Sequence, residues 1–139
     1  MKLDAVGLQS HMWFSKSYGW NEAGFRNFLK QLKNIGVKPI VTELDIIIDT
    51  PLPSNLVELD TMVADGYKRY LNACFAEGVD TIINWGLSDK YSWLRYPGYT
   101  PQKLAQYKDF IRPLPYDENL QPKLARDAIL QSFLKAKVG

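Results

Sequence analysis

Apolar residues along this chain change their spacing several times, and each change marks an element. Pro39-Ile40-Val41 with Leu44, Ile46, Ile47 and Ile48 forms an apolar, mostly β-branched run, the pattern of a strand covered on both faces in a parallel α/β sheet. Shorter strand-like runs lie at Ala5 to His11 and at Thr81 to Trp85. Between them the period lengthens. Phe25, Phe28, Leu29, Leu32 and Ile35 follow helical spacing in a segment that starts near Asn21 and closes at Gly36. Val63, Tyr67, Tyr70, Leu71, Cys74 and Phe75 form the stripe of a second helix, expected over Leu59 to Glu77 with Gly78 as its stop. A third helix is expected from Lys123 to Lys137, with Ala125, Ala128, Ile129 and Phe133 facing the sheet.

The order is strand then helix, three times over. Such alternation predicts successive βα units, a parallel sheet and an α/β fold. The connections are uneven: a loop rich in Trp, Ser, Tyr and Gly follows the first strand, and a Pro-containing loop runs from Asp49 to about Asn55. The longest spans Gly86 to about Gln121. No low-complexity segment or internal repeat is present beyond the alternation.

Two carboxylates interrupt the strongest strand. Glu43 and Asp45 stand two residues apart, so they point to one side of it. Two readings are open on this segment alone: charges at a strand end that meet solvent or a lysine, or carboxylates placed for chemistry. Gln9 and His11, then Trp85, lie at the corresponding ends of the other strands, the edge where parallel α/β sheets and barrels carry their active sites. His11, on a neighbouring strand, is placed to hydrogen-bond one of the carboxylates, although a lone histidine is more often a satisfied structural residue.

Composition narrows the chemistry. The chain has 139 residues, 46% of them hydrophobic, and a net charge of +2 with both signs interspersed, which fits one globular domain and excludes a basic stripe for nucleic acid. No apolar span is long enough for a membrane, and Met1 to Gly7 lacks the core of a signal peptide. One histidine and one cysteine do not make a zinc site, and no acidic calcium loop is present. No cofactor motif is found either: a glycine-rich phosphate loop and a Gly-x-Ser-x-Gly turn are both missing from the sequence. Cys74 sits on an apolar helical stripe as a small buried hydrophobe. Trp13, Trp20, Trp85 and Trp93 all fall at strand ends or in loops, as expected for a surface that stacks sugar rings or for lids over a core.

Three motifs in order carry a family resemblance. Gly7-Leu8-Gln9-Ser10-His11, Val41-Thr42-Glu43-Leu44-Asp45-Ile46 and Asn84-Trp85-Gly86-Leu87-Ser88-Asp89-Lys90-Tyr91-Ser92-Trp93-Leu94 resemble the corresponding segments of glycoside hydrolase family 10. Leu114-Pro115-Tyr116-Asp117 and Gln121-Pro122-Lys123 are similar to the family's lead into its last helix. The resemblance implies a TIM (β/α)8 barrel and a retaining endo-1,4-β-xylanase, with residues 1–139 as the C-terminal portion of the catalytic domain. It also implies roles. Glu43 matches the nucleophile, His11 and Asp45 the pair that orients and tunes it, and Gln9, Trp85 and Trp93 the residues around the bound xylose, with no metal.

The three βα units resemble strands six to eight of a barrel that needs eight strands and about 250 residues. The family's acid/base glutamate lies in a Trp-Asp-x-x-Asn-Glu type segment that has no counterpart here. Glu22, Glu58, Glu77 and Glu118 fall on helices or loops away from the strand ends. Little or no hydrolysis is therefore expected from the chain by itself, since losing a general acid removes about 10²–10⁴-fold in rate. Inner-face residues such as Ile40 and Ile83 are expected to lie open without the rest of the barrel. The expected partners are xylan or xylo-oligosaccharide and the missing N-terminal strands, and the full-length parent is expected to be secreted. A second reading is a non-catalytic xylan- or oligosaccharide-binding remnant.

Overall fold

The computed structural model describes residues 2–14, 20–48, 52–100 and 102–138. The expected loop after the first strand, and the start of the Pro-containing loop, fall partly outside these residues. Strands β1 (Ala5–Leu8), β2 (His11–Phe14), β3 (Lys38–Ile48) and β4 (Ile82–Asn84) form one sheet, and helices α1 (Glu22–Asn34), α2 (Leu56–Ala76) and α3 (Leu124–Val138) complete the three units. All strand pairs are parallel. β3 lies centrally, with β1 and β2 along one side and β4 along the other.

The first strand is not continuous, as the apolar pattern predicted over Ala5 to His11. Ser10 adopts a left-handed backbone with φ of 65°, and pairing with β3 stops at Leu8 and resumes at His11. β3 carries one residue more than its neighbour here: Leu8 pairs with Val41, but His11 pairs with Asp45. β4 shows the same irregularity, with Ile82 opposite Val41 and Asn84 opposite Leu44. A β-bulge at Thr42-Glu43 accounts for both shifts, because an extra residue on one strand displaces the register on either side.

The bulge also reverses which residues face the helices. Val41 packs in the main core, and beyond the bulge Leu44, Ile46 and Ile48 do so. Ile47 belongs to a second cluster with Leu94, Leu104 and Ile111. Glu43 and Asp45 share its side of the strand. α2 covers the other face through Leu59, Val63, Tyr67, Tyr70, Leu71 and Cys74. Gly66 lets it come close, since a Cβ there would meet Ile46 Cγ2 at 2.6 Å.

Helix ends follow their local chemistry. The Asn21 side chain caps α1 by accepting from Gly24 N at 2.9 Å, and Gly36 follows at φ 74°. Asn55 caps α2 through Glu58 N, while the Glu58 carboxylate accepts from the Ser54 backbone and hydroxyl. This interlocked cap starts α2 at Leu56, before the expected Leu59, because the cap and not the apolar stripe sets a helix start.

α3 departs from expectation in its packing. It lies chiefly against α2 instead of the sheet, with Phe133 edge-on to Phe75 at 4.9 Å. The long loop after β4 is built of single-turn 3-10 helices at Asp89–Tyr91, Trp93–Arg95, Gln102–Leu104 and Lys108–Phe110. Ile83 is 52% exposed and Ile40 is partly buried, so the open inner face expected for the sheet is present at Ile83 and weaker at Ile40. No helix among the described residues is long and apolar enough to cross a membrane.

Candidate active site

β3 brings together three of the singled-out residues, although Glu43 and Asp45 stand inside the strand, which stays paired as far as Ile48, and not at its end as expected. His11 Nδ1 lies 3.0 Å from Asp45 Oδ1, and His11 Nε2 lies 3.2 Å from Glu43 Oε2. The expectation was a contact with one carboxylate; the imidazole spans both. The kink at Ser10 and the bulge at Thr42-Glu43 cause this, since together they set His11 opposite Asp45 with Glu43 on the same face.

Their environments differ in a way that separates their roles. The Asp45 side chain is 1% exposed and the Glu43 side chain 22%, so only Glu43 is open to an incoming molecule. Asp45 has a second partner, accepting from the Trp93 indole N–H at 2.7 Å on Oδ2. Burial pushes the Asp45 carboxyl above the usual carboxylate range, while the bonds from Trp93 and His11 pull it back. Proton counting adds a constraint. An ionised carboxylate only accepts, so two ionised partners require a proton on each ring nitrogen; a neutral imidazole leaves a proton on a carboxyl.

Aromatic rings frame this cluster. Trp93 lies 5.0 Å from the His11 ring and Trp85 lies 6.3 Å away, nearly perpendicular. Trp85 follows β4, its backbone N–H bonded to Leu44 O, and its side chain is 46% exposed. Trp93 meets Tyr99 edge-on at 5.7 Å. Of the other two tryptophans only Trp13 departs from the expected placement, while Trp20, in the loop before α1, is one of the expected lids over the core. Trp13 lies inside β2, and Trp20 packs on the core against Phe14, Phe25 and Tyr70. Gln9 is exposed in the break between β1 and β2 and, among the described residues, has no hydrogen-bonded partner.

A family model for glycosyl hydrolase family 10 matches residues 1–132. This chain belongs to glycosyl hydrolase family 10. Among family relatives, endo-1,4-beta-xylanase 2 of Aureobasidium pullulans is 33% identical, the alignment covering 98% of this chain and 37% of that protein. Endo-1,4-beta-xylanase B of Thermotoga neapolitana is 30% identical over 87% of this chain and 31% of its own length. Xylanase 10B of Thermotoga petrophila RKU-1, solved in complex with xylobiose, superposes with a TM-score of 0.74 at 28% identity, over 95% of this chain and 36% of that one. The chain thus spans about a third of the length of the relatives it matches. Its parallel βα units are part of the family-10 TIM barrel.

Sequence reasoning missed several residues that support this family-10 site. Asp89 enters the sequence reading only as one position of a family motif, yet it is fully buried and ion-paired with Lys123 at 2.8 Å. Arg112 forms a two-pronged bond to Asp60 at 2.8 and 2.7 Å. The Tyr70 hydroxyl, on a helix read as apolar, meets Ser10 Oγ. The general need of a buried tyrosine hydroxyl for a partner was the one available signal. Spacing along the chain offers none for contacts between residues this far apart.

Proposed function

We propose that this chain is the nucleophile-bearing C-terminal part of the catalytic barrel of a retaining endo-1,4-β-xylanase. One observation carries the reading: His11 joins an accessible Glu43 to a buried Asp45 on one face of a parallel strand. Glu43 is the nucleophile. Its oxygen attacks the anomeric carbon of a xylosyl unit, forming a glycosyl-enzyme as the glycosidic oxygen leaves, and water then cleaves that ester with retention. His11 holds one Glu43 oxygen and leaves the other for attack. Asp45 holds the far side of the imidazole. Gln9, Trp85 and Trp93 contact the sugar, and the xylobiose complex of the Thermotoga petrophila relative supports this class of ligand.

The departing oxygen needs a proton from a second carboxyl, about 5–5.5 Å from the first. Glu77 is tied to Arg26 at 2.7 Å, Glu118 to Arg95 at 3.4 Å, and Glu58 caps α2; Glu22 begins α1. We therefore place the acid/base on the barrel strands that precede these units, and expect the chain by itself to have little or no activity. The parent enzyme acts on an insoluble polymer, so export is its expected fate.

Xylan hydrolysis by the purified chain, with and without a separately produced segment carrying the first five strands of a family-10 barrel, tests the proposal. Activity only on mixing, abolished by Glu43→Ala, is the expected result. Activity of the chain alone would overturn the assignment of the acid/base elsewhere. A mixture that binds xylo-oligosaccharide without cleaving it would favour the binding-remnant reading.

A further inference from the structure

We propose that the buried Asp89–Lys123 ion pair is a positioning device for the His11–Glu43–Asp45 cluster, acting through Trp93. Asp89 and Lys123 are 34 residues apart, and their side chains meet at 2.8 Å with both almost fully shielded from solvent. Lys123 Nζ also donates to Arg112 O at 2.7 Å. Asp89 Oδ1 accepts from Leu114 N at 2.9 Å. The pair thus clamps the turn at Asp89–Tyr91 to the segment that leads into α3.

Backbone bonds carry the clamp to the tryptophan. Asp89 N donates to Tyr116 O, and Ser92 N donates to Asp89 O. Trp93 opens the next single-turn helix and presents its indole N–H to Asp45 at 2.7 Å. The segment leading into α3 is also stitched to β3 beside Asp45. Pro113 O accepts from Ile46 N at 3.3 Å and from the Tyr67 hydroxyl at 2.9 Å. Donor and acceptor of the Trp93–Asp45 bond are therefore both referenced to one segment, residues 112–123.

A buried ion pair is a poor source of stability, since desolvation offsets most of its attraction, whereas its geometry is demanding. Burial moves both groups toward neutrality, Asp89 upward and Lys123 downward, with their mutual attraction opposing the shift. Fixing a loop that must meet Asp45 within hydrogen-bonding distance explains the pair better than stability does. The consequence for catalysis rests on the xylanase reading, whereas the geometry does not.

The test uses the 15N-labelled chain, whose indole N–H resonances report each tryptophan, with Trp93→Phe identifying that of Trp93. The double variant Asp89→Asn/Lys123→Met removes both charges without leaving one unpaired. The Trp93 indole is expected to exchange with solvent roughly tenfold faster or more, as for a lost bond to a charged acceptor, while the Trp20 resonance stays in place. Asn21→Ala, which removes the side-chain cap of α1 and so destabilises the fold away from this network, serves as a control for destabilisation and should leave the Trp93 resonance unmoved. An unchanged Trp93 indole in the double variant would overturn the proposal. So would loss of all dispersed indole resonances, which would make the pair a support of the whole fold. In the reconstituted barrel the same variant should lower kcat with little change in KM. Absence of any xylan hydrolysis there would defeat the functional reading and leave the indole result to decide this one.

Discussion

The Tyr70 hydroxyl lies 2.5 Å from Ser10 Oγ, joining α2 to the kink between β1 and β2. Ser10 holds a left-handed backbone at φ 65°, which costs a residue with a Cβ of order 1–2 kcal/mol. The conformation persists because its side chain is held from the helix, and the next residue is His11. The ring stack of Trp20, Phe25 and Tyr70 fixes the tyrosine in turn.

Tyr70→Phe keeps that stack and deletes the hydroxyl. We expect a loss of about 1 kcal/mol in unfolding free energy, measured by urea titration, together with shifted His11 ring resonances. Wild-type His11 resonances in the variant would show that the kink holds itself.

Gly66→Ala should destabilise the chain although alanine favours helix. The helical gain is at most about 1 kcal/mol, whereas overpacking a core costs about 1–3 kcal/mol. Ile46, at 2.6 Å from the added carbon, is fully buried in β3. A fall in Tm of a few degrees is expected, in line with about 2–8 °C per kcal/mol for domains of this size range. An unchanged or raised Tm would mean that α2 can lift from the sheet.

The raised Asp45 carboxyl makes a pH prediction. Burial is the main cause, opposed by the Trp93 and His11 bonds. Between its unfolded and folded midpoints the folded chain holds more protons than the unfolded one. Stability from this group is therefore full below the unfolded value and lost as pH rises through the folded value. Asp45→Asn should give a shallower decline of stability above the unfolded carboxylate value of about pH 4 than the wild type, read from urea midpoints. Parallel curves would place Asp45 at an ordinary carboxylate value.

Cys74 is buried on α2, and burial pushes its thiol up to about 12. A disulfide reagent near pH 8 should therefore leave the native chain unmodified and label it only once denaturant exposes the thiolate. By the same linkage, the contribution of this thiol to stability is present below the unfolded value of about 8.5 and lost as pH rises toward the folded one. Rapid native labelling would show that α2 opens locally.

Much of this architecture is legible in the order of residues. The apolar periods along α1, α2 and β3, the stops at Gly36 and Gly78, and the two carboxylates on one face of a strand are local patterns, because repeating backbone geometry dictates which positions share a face. Tertiary structure decided the rest. The bulge at Thr42-Glu43, the kink at Ser10, the docking of α3 on α2 and the closure of Asp89 on Lys123 depend on residues distant in the chain. A strand reads as regular until its neighbours impose a register, and a charge reads as solvated until packing removes the water around it. For that reason the sequence alone named His11, Glu43 and Asp45, and only the fold joined them to Trp93.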